Sequence, residues 1–163
     1  MASTYEPIAT TTASGSSNSV TFSSISGTFT DLVLVLSANV LTATDYLRLR
    51  VNSDTGSNYS YTFLYGTGSS AASSRQSSVT SVVYNAINTG SSPNIALIQF
   101  MNYSNTTTYK TFLTRNTVPA NETNAFVALW RSTSAITSIT IDGTDGRNFT
   151  SGSTFTLYGI KAA

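Results

Sequence analysis

Seven carboxylates are the main reactive groups of this chain: Glu6, Asp31, Asp45, Asp54, Glu122, Asp142 and Asp145. Two carboxylates facing each other across a cleft can hydrolyse a glycosidic bond, one as the acid and the other as base or nucleophile. Only Asp142 and Asp145 lie close together, and no spacing rule brings the others into one site. The chain has no histidine and no cysteine. A Ser-His-acid triad, a thiolate nucleophile, a Cys-bound metal and a disulfide are all excluded on that count. The expectation is a protein that is not an enzyme, with no catalytic or cofactor-binding residue, no cofactor and no metal.

Two other constellations admit a functional and a plain reading. Asp142-Gly143-Thr144-Asp145-Gly146 could offer carboxylate and backbone oxygens to Ca²⁺, although it is too short for an EF-hand loop and lacks the closing Glu. Two Asp beside two Gly also make an ordinary turn between strands, which is the simpler reading. Tyr59, Tyr61, Tyr65, Tyr103, Tyr109 and Trp130 could include a stacking platform for sugar rings. Alternating tyrosines also fill one face of a sheet with their hydroxyls at its wet edge, and that reading is favoured. Asn58, Asn102, Asn105, Asn121 and Asn148 head N-x-Ser/Thr triplets, which arise freely in such a composition and carry no weight.

The 163 residues suit one domain with one core. Charged residues make up 9% of the chain, against about 25% in a typical soluble domain. The 27 Ser and 28 Thr take their place, so the surface is built from hydroxyl and amide groups. A net charge of +1 gives little mutual repulsion between molecules, which suits a crowded assembly. The eight Lys and Arg are scattered, so the clustered phosphate contacts of a nucleic-acid binder are absent. The stretch Met1–Ser19 lacks the basic and apolar regions of a signal peptide. The longest apolar run, Leu32–Leu36, is far short of the roughly 20 residues that a spanning helix needs.

The elements that must position any site are strands. Tyr46–Val51 alternates, with Leu47, Leu49 and Val51 on a core face and Arg48 and Arg50 facing water. Tyr59, Tyr61, Phe63 and Tyr65 share a second face. Val33 and Val35 are β-branched, so the run within Thr28–Ser37 reads as a strand, either central and covered on both sides or covered by a partner. Further strands are expected at Val20–Phe22, Val79–Tyr84, Asn94–Tyr103, Tyr109–Arg115, Asn124–Trp130, Ile136–Ile141 and Ser153–Ile160. Turn clusters of Gly, Asn, Ser and Asp separate them. Residues 1–19 read as an N-terminal arm or lead-in, Gly66–Ser78 as a long loop and 88–94 as a turn. No stretch holds a period of 3.6. The fold class is all-β: an antiparallel, jelly-roll-like β-sandwich over 20–163, with eight to ten short strands.

Several segments, taken as a set, resemble small virion structural proteins of tailed bacteriophages, including phages of cyanobacteria. They are Thr4-Tyr5-Glu6-Pro7-Ile8-Ala9, Val20-Thr21-Phe22-Ser23-Ser24-Ile25 with Asp31-Leu32-Val33-Leu34-Val35, Asp54-Thr55-Gly56-Ser57-Asn58-Tyr59, and Phe155-Thr156-Leu157-Tyr158-Gly159-Ile160-Lys161-Ala162. The resemblance runs nearly end to end and implies a β-rich, oligomeric particle component located in the virion. It brings no catalytic motif. The expected role is a capsid decoration (cement) protein, a homotrimer bridging subunits of the major capsid protein on the outer head shell. The alternative is a tail fibre or spike-associated module that binds a host-surface glycan.

Overall fold

The computed structural model describes residues 4–40, 45–87, 92–119 and 122–161. Among these the chain forms twelve strands and no helix: β1 Tyr5–Thr12, β2 Ser19–Phe22, β3 Asp31–Ala38, β4 Asp45–Val51, β5 Tyr59–Gly66, β6 Ala71–Val79, β7 Val82–Ile87, β8 Asn94–Met101, β9 Lys110–Val118, β10 Glu122–Trp130, β11 Ile139–Gly143 and β12 Thr154–Ile160. Eight of them form one sheet in the order β1-β12-β3-β8-β9-β10-β5-β6, and four form another in the order β2-β11-β4-β7. Every pairing is antiparallel. The all-β, antiparallel expectation holds.

Alternation explains the core. Leu32, Leu34 and Leu36 of β3 enter it with Ala96, Ile98 and Phe100 of β8, Phe112 of β9, Phe126 and Ala128 of β10, and Phe155 and Leu157 of β12. The small sheet supplies Val20, Phe22, Leu47, Leu49, Val51, Val82, Ile139 and Ile141 to the same cluster. Each Val, Leu, Ile or Phe side chain among these contributes roughly 1.5–3 kcal/mol by leaving water. The run Leu32–Leu36 is central, one of the two arrangements expected: β3 lies between β12 and β8, and even Val33, which is not part of the core cluster, is 3% exposed.

The strand count of eight to ten is corrected to twelve. Residues 5–12, expected within an arm, form β1 and pair with β12. Gly66–Ser78, expected as a loop, contains most of β6, which pairs with β5. Neither strand has a buried face that would impose a period of two on its sequence: eight of the nine residues of β6 are exposed. The strand expected at Val79–Tyr84 starts at Val82, because Val79 ends β6. The turn expected at 88–94 lies partly outside the described residues.

Arg48 and Arg50 also differ from expectation. The register sets Arg48 opposite Asp142. The Arg48 guanidinium donates through Nε (2.9 Å) and Nη2 to that carboxylate, and Arg50 approaches it at 3.6 Å. Both side chains are half-buried in an ion-paired network rather than free in water.

Candidate functional site

The carboxylates are dispersed, each absorbed by local architecture. Asp45, the first residue of β4, is fully buried. Its Oδ1 accepts from the N–H groups of Tyr46 (2.7 Å) and Asp145 (3.0 Å) and from the Thr144 hydroxyl (2.9 Å); its Oδ2 accepts from the Arg147 N–H at 3.4 Å. Burial alone would raise this carboxyl, but hydrogen bonds from Asp145, Tyr46, Thr144 and Arg147 outweigh it and hold the group below its ordinary value. Asp45 thus pins the loop after β11 to the start of β4. A Cβ on Gly143 would overlap the Asp45 carboxylate, so the close approach requires glycine there.

Asp54 does similar work at the β4–β5 turn. It accepts from the Trp130 indole N–H (2.6 Å), the Asn58 amide (2.9 Å) and the Gly56 N–H (2.8 Å). Burial opposes its ionised form, yet the Trp130, Asn58 and Gly56 bonds leave the carboxyl lowered. Asp31 accepts from the Asn102 N–H at 2.7 Å, and Glu6 pairs with Lys161. Glu122 opens β10. Asp142 is held by Arg48 and Arg50, whereas Asp145 lies 3.9 Å from Arg147. Among the described residues no three acids gather as a metal cluster. The Asp142–Gly146 segment is a turn organised by Asp45.

The aromatic set divides. Tyr59, Tyr103 and Trp130 are buried in the core. Burial pushes the Tyr59 phenol up to about 12, and its hydroxyl meets the Val51 N–H at 3.1 Å. Tyr61 and Tyr65 are half-buried beside Phe63, which stacks on Phe126 at 4.8 Å. Tyr109 stands apart, 54% exposed. The six do not gather into one platform. Tyr59, Tyr61 and Trp130 follow the packing reading, as does Tyr103, whose hydroxyl donates to the Ser26 carbonyl.

The surface that the structure does assemble is the outer face of the eight-stranded sheet. Registers align residues into rows across it. One row runs Leu64–Ala125–Arg115–Leu97–Val35–Thr156, and the next runs Thr62–Val127–Leu113–Gln99–Val33–Tyr158. Leu64 (61% exposed), Val127 (54%), Ile95 (52%), Met101 (46%) and Leu113 (40%) leave their side chains in water here. Arg75 and Arg115 are the charged side chains of these rows and of the adjoining one through Thr123, Thr117 and Ile95. Shallow depressions mark the face, one of about 550 Å³ lined by Leu64, Ala72, Arg115 and Ala125 among others. Residues on one face of an antiparallel sheet alternate with core residues and are normally polar when that face meets water. Leu113 and Val127 break that rule, and residues 124–130, apolar at both parities, are the signal in the sequence that marks the exception.

Among the described residues this face presents apolar area, threonine hydroxyls and the guanidinium groups of Arg75 and Arg115, with no convergent acid pair. A scan of protein-family models finds none that matches this chain, and a search of curated proteins finds no match.

Proposed function

We propose that this chain is a non-enzymatic virion structural protein, and within that class a capsid decoration protein that docks the outer face of its eight-stranded sheet on the head shell. The observation that carries the docking is the set of exposed apolar side chains at Leu64, Ile95, Met101, Leu113 and Val127, spread over neighbouring rows of this face. Contiguous apolar patches on soluble proteins mark contact surfaces. The virion setting comes from the sequence resemblance. Low charge suits both, because a weakly charged surface is held by packing and backbone hydrogen bonds more than by salt-sensitive pairs.

The dimensions fit a stable contact. Eight strands about 4.8 Å apart, over about seven residues of about 3.3 Å each, give a face on the order of 800 Å². A standard interface takes roughly 800 Å² from each partner. In this reading the two sheets close as a jelly-roll-like sandwich over their shared core. Support comes from the chain's path, which leaves the large sheet for the small one at β2, β4, β7 and β11 and returns each time. The particle form is a homo-oligomer, with a trimer as the arrangement to test, and the major capsid protein is the partner.

Labelling the chain on intact particles and counting copies by electron microscopy tests this. Hundreds of copies on the head are expected. A handful at the tail overturns decoration in favour of the tail-associated reading, and absence from particles removes both.

A further inference from the structure

The two sheets have four edge strands, β1 and β6 in the large sheet and β2 and β7 in the small one. Open edges invite pairing with other chains, and proteins blunt them with short strands, prolines, bulges or charge. Three of the four are blunted here. β2 has four residues. β7 meets β4 through a register shift at Tyr46/Arg48. β1 has both a shift at Pro7/Ala9 and the proline itself. The Lys161 N–H donates to the Thr4 carbonyl (3.2 Å), and that bond sets the phase of the ladder. Pro7, three residues on, then presents its N–H-less nitrogen to the open side.

Among the described residues β6 is the least protected of the four: it has nine residues, no proline, one charge at Arg75 and one register shift. Its register shift falls at the far end, beyond Gln76, where Ser78 has φ 55°. Ala71–Gln76 pairs regularly with β5. The Thr67 N–H donates to the Ser70 carbonyl at 2.9 Å in the β5–β6 turn. Alternation from that bond directs the N–H and C=O groups of Ala71, Ser73 and Arg75 away from β5, toward the open edge.

We propose that β6 is a strand-addition edge where a second copy of this chain pairs, β6 antiparallel to β6, about a two-fold axis at Ser73. Charge selects the register, and side-chain size the partner. Arg75 is the strand's one charge. An axis at Arg75 would set two guanidinium groups directly opposite, which is destabilising. An axis at Ser73 sets Arg75 against Ala71 of the second copy and pairs the regular stretch Ala71–Arg75 along its whole length, with about six backbone hydrogen bonds. The small side chains of Ala71, Ala72, Ser73 and Ser74 offer no pockets in which a foreign strand's side chains could be read, and such pockets are what give strand addition its specificity for peptides. They present no obstacle to an identical strand. The contact is isologous, separate from the outer-face docking, and stands or falls without it.

Sedimentation equilibrium of the full chain from micromolar to millimolar concentration tests the proposal. A concentration-dependent dimer is expected. Ser73→Pro removes an outward N–H while leaving the β5 ladder bonds, and Ser73→Lys sets two ammonium groups together at the axis; each should weaken the dimer at least about 10-fold. Ala71→Glu places an acid opposite Arg75 and should tighten it several-fold. If Ser73→Pro proves unfolded by circular dichroism, the Lys and Glu variants decide. Because the chain has no cysteine, Ser73→Cys gives a single thiol. Hydrogen-bonded antiparallel partners have Cα atoms about 5.5 Å apart, within disulfide range. This variant should therefore oxidise to a covalent dimer faster than Ser69→Cys in the adjacent turn. A chain monomeric throughout, with Ser73→Cys no faster than Ser69→Cys, overturns the proposal, whether or not the protein is found on particles. A dimer indifferent to all three charge and proline variants overturns it equally.

Discussion

The two faces of the eight-stranded sheet are made by the same strands and differ by one residue of register. Phe112 of β9 is fully buried and its neighbour Leu113 is 40% exposed; Phe126 of β10 is buried and Val127 is 54% exposed. Phe112 packs on Phe100 at 4.9 Å, and Phe126 stacks on Phe63 and meets Tyr84 edge-on at 5.0 Å. Leu113 and Val127 have one another and Gln99 along their row. Similar hydrophobic side chains therefore have opposite energetic roles. On the inner face they hold the chain folded. On the outer face their apolar area stays in water.

Substitutions at adjacent positions separate these roles. The largest effect is expected at Phe112→Ala, which should cost about 3–5 kcal/mol of unfolding free energy through the cavity it leaves. Asp45→Ala should follow at about 2–4 kcal/mol, with both variants measured by denaturant titration, because it removes a buried carboxylate that accepts from the Asp145 and Tyr46 N–H groups. Leu64→Lys with Val127→Lys should leave the unfolding midpoint nearly unchanged yet weaken docking to undecorated particles by about 100-fold, as charge is forced under an apolar contact. Equal binding by this double variant would show that the outer face is not the docking surface. Leu113→Ala should change stability by less than about 0.5 kcal/mol in the isolated chain.

Acid should act on the fold through two carboxylates away from either face of the large sheet. Asp45 and Asp54 lie below their ordinary 3.8 in the folded protein. The stability they add is complete above that value and is lost as pH falls through their folded values. Unfolding free energy should therefore decline below about pH 4, and Asp45→Asn should flatten that decline. A decline of the same size in Asp45→Asn would assign it to other groups.

Legibility in the sequence followed burial. Leu47, Leu49 and Val51 were readable because β4 has one buried face, and burial writes a period of two into the chain; Asn94–Tyr103 was legible as a strand, but with apolar residues at both parities it did not show that Ala96, Ile98 and Phe100 are the buried ones. β6 was not readable, because a strand exposed on both sides has no periodic demand on its residues. β1 failed for a related reason: its alternation is only between exposed and half-exposed positions, and it breaks at Ala9-Thr10. The turn at Asp142–Gly146 could be recognised locally. Its anchor could not, since Asp45 is about a hundred residues away and nothing in its own surroundings marks it for burial. Arg48 and Arg50 were placed on the correct face, but Asp142 arrives opposite them only through the β4–β11 register.

By itself the sequence determined the class of structure: strands, their inward side chains, and turns at Gly, Asn and Asp. These follow from local backbone preference and from which residues leave water. Tertiary structure decided which strands neighbour one another, which acid is buried, which edge stays open, and that Leu64, Leu113 and Val127 share one exposed surface. Those facts depend on registers between distant segments, and a linear chain does not state a register until its strands have met.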